Sequence, residues 1–563
     1  MNQLTTPDIL VFLLYFVVVA VYGYWIYNRK KKQHADTKDF FLAEGSLTWW
    51  AIGASLIASN ISAEQFIGMS GDGFVLGLAI SSYEWMAAAT LIVVAVFFIP
   101  VYLKNKIYTM PQFLHQRYNS TVAMIMAIFW LLLYVVVNLT SILFLGALAI
   151  NSISGIDITL CMIFLALFAI FITAGGMKVI GYTDVIQVFF LILGGLITTY
   201  LALNLVGEHF GTPGAWGGLK TLKKEADSHF HMIFSKDHPY FSSLPGLTVL
   251  IGGLWIANLN YWGCNQYITQ RALGADLKTA RNGILFAAFL KMLMPVIVVL
   301  PGIAAYLLHR ENISIGDTTM QAAMMADGVA SKDRAYPTLL NLLGPGLKGL
   351  AFAALTAAIV ASLAGKANSI ATIFTLDLYK KKINPDATEK DQVKVGRITI
   401  IISLLVAVAI APFLGIGGKG GFEFIQEYTG FVSPGIFAMF LLGFFWKKAS
   451  SNAALFATIG GFIFSVIFKF LPYIVNLEFL YPLGFAVPNK DGVYEIPFLD
   501  RMGFVFLLAV AGMVIISLID HKRGKKTNPL EVDTKMMFNL HPSFVIGSLL
   551  VIGLLIALYT VFW

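Results

Sequence analysis

Long apolar stretches separated by short polar ones run along almost the whole chain. A helix needs roughly 20 residues to cross a hydrocarbon core of ~30 Å. We therefore predict an all-α integral membrane protein with about 14 transmembrane helices. The predicted spans cover residues 8–27, 46–70, 79–102, 123–150, 159–177, 184–206, 247–267, 284–308, 347–376, 398–415, 423–446, 453–475, 501–520 and 543–562.

Polar and glycine-rich sequence interrupts two of these spans. The second span contains GASLIASNISAEQ at 53–65, and the seventh contains GGLWIANLNYWG at 252–263. Irregular backbone at membrane depth is tolerated only where it is buried in protein or lines a cavity. These segments therefore predict a binding site, and the alternative is that the glycines serve close helix packing.

The two interrupted spans are five apart, so spans 2–6 and 7–11 form two consecutive sets. An odd-numbered unit reverses its orientation when it repeats, which predicts a 5+5 inverted repeat with a site near the bilayer midplane. The predicted organisation is an anchor helix and cytoplasmic linker (1–45), a first repeat (46–206), an external loop (207–246), a second repeat (247–446) and accessory helices (447–563).

Composition and charge support the membrane assignment and orient the chain. Hydrophobic residues make up 58% and charged residues 12%, too little polar surface for several soluble domains. The net charge of +8 comes from basic residues clustered between spans, as in 29–32 and 522–526. Placing both termini outside puts most of the 39 Lys and Arg residues in cytoplasmic loops. We predict a multi-pass protein of the bacterial inner (plasma) membrane.

Several other function classes lack support in the sequence. The two cysteines, Cys161 and Cys264, lie in apolar runs, and the nine histidines show no metal-ligand spacing. The long loops 207–246 and 309–346 contain no catalytic or nucleic-acid motif. The chain is therefore not expected to be an enzyme or to bind nucleic acid.

Two charged residues within predicted spans, Glu84 and Lys291, are candidate functional groups. An ionised side chain at the bilayer centre costs at least ~2.5 kcal/mol, so each is expected to be paired or functional. The alternative is a structural ion pair between two helices.

A sugar offers hydroxyls that donate and accept hydrogen bonds, and an apolar ring face. Amides, a carboxylate, an ammonium and an aromatic plate would bind it. Amides dominate the buried polar set, which favours a neutral sugar or polyol over an anion. The candidates are Gln65, Glu84, Asn258, Lys291, Gln426 and, for stacking, Tyr261, with Tyr83, Trp262 and Phe422 as aromatic neighbours that would gate a cavity or simply pack.

Four segments together are similar to bacterial sugar-carrying members of the solute:sodium symporter family. They are AIGASLIASNISAEQFIGMSG at 51–71, TDVIQVFF at 183–190, the glycine-rich segment at 252–263, and IQEYTG at 425–430. The resemblance runs from the first span to about the twelfth and weakens after about residue 475. It implies a leucine-transporter-type fold with extra helices at both ends, and sodium-coupled uptake of a galactose- or glucose-like hexose.

The resemblance also implies roles for individual residues. The five polar candidates would bond the sugar hydroxyls, and Tyr261 would stack on the ring from the cytoplasmic side. Asn60 and Asn138 would steady that tyrosine, and Met69, Tyr83 and Phe422 would form an external gate. Sodium would be held by Ala58, Ile61, Ala358 and two successive hydroxyls, with Asp184 on its exit path.

This chain departs from the family at the implied sodium site. Ala361 stands where the first hydroxyl is expected, so only Ser362 remains, and Lys366 follows one helical turn later. The Lys366 ammonium would replace sodium, reach the cytoplasmic interface, or pair with an acid such as Asp184. In the sugar site, Ala87 replaces a family serine and Asn260 a family tyrosine.

The expected mechanism is alternating access, in which sodium orders the second span and favours sugar binding. Expected partners are a small sugar, the co-transported sodium ion and membrane lipid, with the protein a monomer or weak homo-oligomer. The alternatives are a same-fold carrier of myo-inositol, sialic acid or a small carboxylate, cation-independent or proton-coupled sugar transport, and a transporter-like sensor.

Overall fold

The structure is a computed structural model that describes residues 4–29, 47–173, 176–315, 318–326, 329–413, 421–489 and 491–563. The predicted cytoplasmic linker, with the basic residues that follow Arg29, lies outside the described residues. The described chain is helical apart from loops and three two-residue antiparallel strand pairs.

The chain divides into two compact units. The first comprises Met1–Ser81, Leu131–His231 and Leu290–Ile425, and the second comprises Ser82–Trp130, Met232–Phe289 and Gln426–Trp563. The α-helices of the first unit are Thr6–Arg29, Trp49–Asn60, Ser70–Leu76, Thr140–Ser154, Ile158–Thr173, Gly176–His209, Ala215–Glu225, Val299–Arg310, Met320–Met324, Ala335–Leu339, Leu347–Thr372 and Glu389–Ile410. Those of the second are Ser82–Val93, Ile99–Lys104, Met110–Arg117, Thr248–Ile251, Gly253–Gly263, Gln266–Leu273, Ser433–Phe445, Ser451–Leu455, Gly461–Phe470, Phe498–Lys522, Thr534–Phe538 and Pro542–Val561.

Three further α-helices, Ser120–Leu132, Leu277–Ile297 and Gly421–Gly430, contain the chain positions at which the units divide. Several long helices continue through π-helical turns, at Glu64–Met69, Val94–Phe98, Leu133–Leu139, Ile373–Ile383 and Phe456–Gly460. Short 3₁₀ segments are Gly77–Ser81, Asp227–Phe230, Lys332–Arg334, Leu340–Leu342, Ala411–Phe413, Leu471–Tyr473 and Glu478–Leu480. The strand pairs are Ser314–Ile315 with Thr318–Thr319, Met325–Ala326 with Val329–Ala330, and Val487–Pro488 with Tyr494–Glu495.

Ten helices of the described residues are long and apolar enough to cross a membrane. An eleventh is obtained if Gly421–Gly430 and Ser433–Phe445, which meet at a 51° bend, form one span. The chain is therefore a multi-pass, helical membrane protein. The predicted count of 14 includes three spans that the structure forms as shorter helices, at Trp49–Asn60, Ile158–Thr173 and the pair Thr248–Ile251 and Gly253–Gly263.

Helix Leu347–Thr372 is the central element of the first unit. In the most apolar 18-residue segment of the helical stretch Leu347–Ile383, 83% of the residues are buried. In the corresponding segment of the N-terminal helix, 22% are buried. The many alanines and glycines of Leu347–Thr372 allow neighbouring backbones to approach closely. The side chain of Asp8 accepts hydrogen bonds from the N–H groups of Gly346 and Gly349, at 2.7 and 2.9 Å, and so caps the start of this helix.

Helix Gly253–Gly263 has a similar place in the second unit. It packs against helices Ser82–Val93, Ser433–Phe445 and Phe498–Lys522. A Cβ atom at Gly253 would lie 2.0 Å from the carbonyl oxygen of Leu499, so only glycine fits at this approach. The glycine pair predicted to interrupt this span does so, because Gly252 has φ −123° and ψ −122° and separates Thr248–Ile251 from the helix that follows.

Candidate functional site

The predicted interruption of the second span is a short break between helix Trp49–Asn60 and the π-helical turn that begins at Glu64. Ile61 has extended backbone geometry (φ −75°, ψ 107°). The N–H of Ser62 donates to Oε1 of Gln65 at 3.2 Å, and the hydroxyl of Ser62 accepts from the N–H of Glu64 at 3.2 Å. This reciprocal arrangement caps the second helix segment, as in a capping box.

Two buried lysines of the first unit bind at the two sides of this break. Nζ of Lys291, on helix Leu277–Ile297, donates to Oδ1 of Asn60, the last residue of the first helix segment. Nζ of Lys366, on helix Leu347–Thr372, lies 3.6 Å from Oε1 of Glu64, which begins the second segment. Two different helices therefore each place an ammonium at the break.

The residues that the family resemblance assigns to sodium also surround the break. The hydroxyl of Ser362 donates to the carbonyl oxygen of Ser59 at 3.3 Å, which brings helix Leu347–Thr372 to the end of the first segment. The N–H of Ser62 points to Gln65 and does not continue the helix to the carbonyl of Ala58. Carbonyls at such a helix end are ready to accept other partners.

Three more residues of the implied sodium site and its exit path lie in the first unit. Ala358 and Ala361 are buried on helix Leu347–Thr372. Asp184 is buried on helix Gly176–His209 and accepts a hydrogen bond from the hydroxyl of Ser55, at 2.7 Å. Ser55 lies one turn before Ser59, so Asp184 contacts the helix segment that leads to the break.

Three residues predicted as gate or support residues are buried in the first unit. Met69 and Asn138 lie on the π-helical turns Glu64–Met69 and Leu133–Leu139, and Phe422 lies near the start of helix Gly421–Gly430. A Cβ atom added to Gly68 would lie 2.8 Å from both the backbone nitrogen and Cβ of Phe422. Gly68 thus lets the helix that carries Phe422 approach the turn that carries Met69.

The second unit contains the remaining candidates. Asn258, Tyr261 and Trp262 share helix Gly253–Gly263, where the rings of Tyr261 and Trp262 meet edge to face with centroids 5.1 Å apart. The amide of Asn258 donates to the carbonyl of Leu254 at 3.1 Å, one turn earlier. Asn260, which replaces a family tyrosine, donates to the hydroxyl of Ser433 at 3.0 Å.

Helix Ser82–Val93, which packs against that helix, carries Tyr83, Glu84 and Ala87, all of them buried. Gln426 is half-buried on helix Gly421–Gly430. The predicted sugar residues are thus Gln65 and Lys291 in the first unit, and Glu84, Asn258, Tyr261 and Gln426 in the second.

The first unit contains a charged cluster that was not predicted from the sequence. Nζ of Lys332 lies 2.5 Å from Oδ1 of Asp72 and 3.9 Å from Oε2 of Glu423, and Oδ2 of Asp333 accepts from the N–H of Gly421 at 3.2 Å. Burial raises the pKa of Asp333 to about 6, despite the opposing effect of Lys332. Burial acts to lower the pKa of Lys332, but the charges of Asp72 and Glu423 outweigh it and hold that pKa above its usual value.

This cluster joins helix Ser70–Leu76, the 3₁₀ turn Lys332–Arg334 and helix Gly421–Gly430, directly beside Phe422. Asp72 follows directly after the second predicted span, and an acid beside an apolar span was the available sequence signal. A second missed group lies in the second unit, where Glu427 forms ion pairs with Lys469 at 2.5 Å and Arg501 at 2.7 Å.

Comparison with known proteins decides the family. The profile of the "Sodium:solute symporter family" matches residues 40–461. The chain belongs to this family. It is 46% identical to the "Sodium/glucose cotransporter" of Vibrio parahaemolyticus over 567 aligned positions, covering 100% of this chain and 99% of that protein.

A more distant relative agrees with this assignment, and a solved structure shares the fold. The symporter is 33% identical to the human "Sodium/myo-inositol cotransporter 2" over 537 aligned positions, which cover 91% of this chain and 76% of that protein. Its fold matches a solved structure described as a substrate-bound, outward-open Na⁺-coupled sialic acid symporter. The TM-score is 0.74 at 20% identity, covering 92% of this chain and 98% of the other.

Proposed function

We propose that this family member carries a hexose into the cell together with sodium, by alternating access. The observation that carries the proposal is the 46% identity, over the full length of both chains, to a sodium/glucose cotransporter. The break at 61–63 supports it, because it exposes helix ends to ligands at a position where two lysines and a hydroxyl converge.

The proposed architecture is a 5+5 inverted repeat within about 14 spans, in a bacterial inner membrane with both termini external. The two interruptions support the repeat, because helix breaks occur at both positions where the sequence placed them. We propose a monomer or weak homo-oligomer surrounded by lipid.

Sugar hydroxyls are proposed to bond to five polar side chains, and Tyr261 to stack on the ring. Gln65 is suited to this role because its carboxamide oxygen is held by Ser62, which orients its NH₂ group. Lys291 is oriented by Asn60 in the same way. The five polar residues are Gln65, Glu84, Asn258, Lys291 and Gln426.

Sodium is proposed to bind at the carbonyls of Ala58, Ile61 and Ala358 and at the hydroxyl of Ser362, and to leave past Asp184. Binding there would fix the break and order Gln65, so sugar would bind better when sodium is present. Met69, Tyr83 and Phe422 are then proposed to close, and release to the cytoplasm requires Tyr261 to move. Asn60 and Asn138 are proposed to steady that tyrosine, and Trp262 is a further gating candidate.

A second candidate is sugar transport without sodium, or with protons. Two observations favour it. The buried ammonium of Lys366 lies beside the break, and Ala361 on the same helix stands where the implied sodium site expects a hydroxyl. Carriers of myo-inositol, sialic acid or a small carboxylate are the alternative substrate classes, and a transporter-like sensor is the alternative activity.

Uptake of labelled galactose into proteoliposomes tests the function. We expect uptake with an inward sodium gradient that is largely lost when choline replaces sodium. Unlabelled glucose should compete better than myo-inositol or sialic acid. Equal uptake in both media, or stronger competition by a non-hexose, would contradict sodium coupling or the hexose assignment respectively.

Lys291→Met tests the sugar site in the same assay. A hydrogen bond to a charged group contributes about 1.5–3 kcal/mol, so the half-saturating galactose concentration should rise roughly ten- to hundredfold. The matched control is Lys525→Met, which removes an exposed lysine paired with Asp520 in the second unit and should leave uptake unchanged. If both variants have the same half-saturating galactose concentration, Lys291 does not bind the sugar.

A further inference from the structure

Lys366 and Glu64 form an ion pair enclosed within the first unit. Lys366 is 5% exposed and Glu64 is 8% exposed, and their charged atoms are 3.6 Å apart. A charged pair in such a place costs desolvation free energy, and a well-packed apolar pair is often as stable. Stability alone therefore does not account for the pair.

The pair lies at the point where the helix is broken. Glu64 is three residues beyond Ile61, and Lys366 is one turn beyond Ser362, whose hydroxyl binds the carbonyl of Ser59. Side chains on a helix lean toward its N-terminus, so the stem of Lys366 runs back toward Ser362. The ammonium and the hydroxyl thus approach the break from the same helix.

The end of helix Trp49–Asn60 carries partial negative charge on its last carbonyls, and Glu64 adds a carboxylate. Together they would attract a small cation. An ammonium fixed beside them supplies positive charge that a transported cation would otherwise supply. Lys366 can therefore weaken cation binding without touching the cation.

We propose that the Lys366–Glu64 pair is a built-in competitor that sets the sodium concentration at which this symporter works. This inference rests on the proposed sodium-coupled function and names two residues that regulate the same site. Lys366 and Glu64 are positioning residues in this scheme, since they act on the cation through charge.

The test measures galactose uptake against sodium concentration at pH 8 in proteoliposomes. Lys366→Met leaves the Glu64 carboxylate without its ammonium, so the half-saturating sodium concentration should fall roughly tenfold. The double variant Glu64→Gln with Lys366→Met removes both charges and should return close to the wild-type value. Lys366→Arg keeps the charge and should also stay close to wild type.

Lys348→Met is the matched control. Lys348 is 5% exposed on the same helix, about five turns before Lys366. Its Nζ donates to Oδ1 of Asn341 at 2.7 Å, away from the break. It should leave the half-saturating sodium concentration unchanged. A merely structural role of Lys366 would lower uptake without shifting the sodium dependence, and the double variant would not reverse it.

The outcomes separate this inference from the function on which it rests. If wild-type uptake depends on sodium but Lys366→Met and Lys348→Met behave alike, only the inference is overturned. If wild-type uptake is independent of sodium while Lys366→Met acquires sodium dependence, sodium coupling fails and competition by Lys366 is supported. If Lys366→Met does not fold, Lys366→Arg and the double variant carry the test, and a sodium dependence in the double variant far from wild type overturns the inference.

Discussion

Lys332 illustrates how much one residue contributes where charges are buried. It neutralises Asp72, which is fully buried on helix Ser70–Leu76. Removal of one partner of a buried ion pair costs ~3–5 kcal/mol, because the other charge stays buried without compensation. Lys332 is itself about one-fifth exposed, so we expect Lys332→Met to lower the free energy of unfolding by ~3 kcal/mol.

Thermal unfolding in detergent, followed by the loss of soluble protein, measures this effect. The double variant Asp72→Asn with Lys332→Met should recover much of the lost stability, since no unpaired charge remains at that position. If the single and double variants unfold at the same temperature, the Asp72–Lys332 pair is not what stabilises this region.

Asp333 gives the same cluster a dependence on pH. Its pKa in the folded protein is about 6, above its usual value, because the carboxyl group is buried. The folded state therefore binds the proton more tightly than the unfolded state, and stability should fall as pH rises from about 4 to about 6. Lys332 remains charged throughout this range.

Asp333→Asn should weaken the fall in folding stability between pH 4 and pH 6. It should not affect the pH dependence of stability above pH 7. Melting temperatures at pH 4.5, 5.5, 6.5 and 7.5 measure it. Parallel curves for wild type and variant across all four values would refute the assignment to Asp333.

Single-residue roles were predictable from sequence only where the signal was local. A polar segment in an apolar span indicated the break, and Ser62 followed by Gln65 three positions later is a capping pattern that the structure forms. The partner of Lys366 was not predictable, because Glu64 is some 300 residues away and reaches it through the fold. Asp72 and Lys332 are separated by 260 positions.

At the scale of elements, the two predicted interruptions lie where the sequence placed them, but the helix count does not follow from hydropathy alone. A broken span contains helices that are each too short to cross the membrane, as at Thr248–Ile251 and Gly253–Gly263. Helical turns also follow one another without a loop over the 41 residues Glu64–Lys104, where only Gly77, with φ 66° and ψ −147°, turns the chain after Leu76. Hydropathy detects apolar length, while bends and π-helical turns depend on packing.

Gly68 allows a close approach of two such elements. Substitution by alanine would place Cβ 2.8 Å from the backbone nitrogen of Phe422, so helix Gly421–Gly430 would have to shift. Because Phe422 belongs to the proposed external gate, we expect Gly68→Ala to lower the maximal rate of sodium-driven galactose uptake at least tenfold. Counterflow and initial-rate assays in proteoliposomes measure it.

Gly503→Ala is the control for this substitution. Gly503 lies within helix Phe498–Lys522, and a Cβ atom there meets nothing within 4 Å. Alanine is also the better helix former, so this variant should transport at the wild-type rate. Equal rates for the two variants would show that the approach at Gly68 is not needed for transport.

At the scale of the whole molecule, the sequence supported the membrane class, the family and the expected transport activity better than the detailed architecture. The length of the apolar stretches was enough to predict the membrane class, and four motif segments were enough to predict the family. Both properties depend on composition and local spacing. The two compact units each combine three separate stretches of chain. Such a division depends on long-range packing, which no local pattern specifies.

We expect a sodium gradient to drive this protein to move a hexose against its concentration gradient. Proteoliposomes loaded with labelled galactose at the same concentration inside and outside, then given an inward sodium gradient and an inside-negative potential, test it most directly. One positive charge per sugar yields ~2.3 kcal/mol per 100 mV, so the potential alone supports roughly fiftyfold accumulation per 100 mV. The sodium concentration gradient adds to this, and we predict internal galactose well above the external concentration. Internal galactose that stays equal to the external concentration would contradict the account.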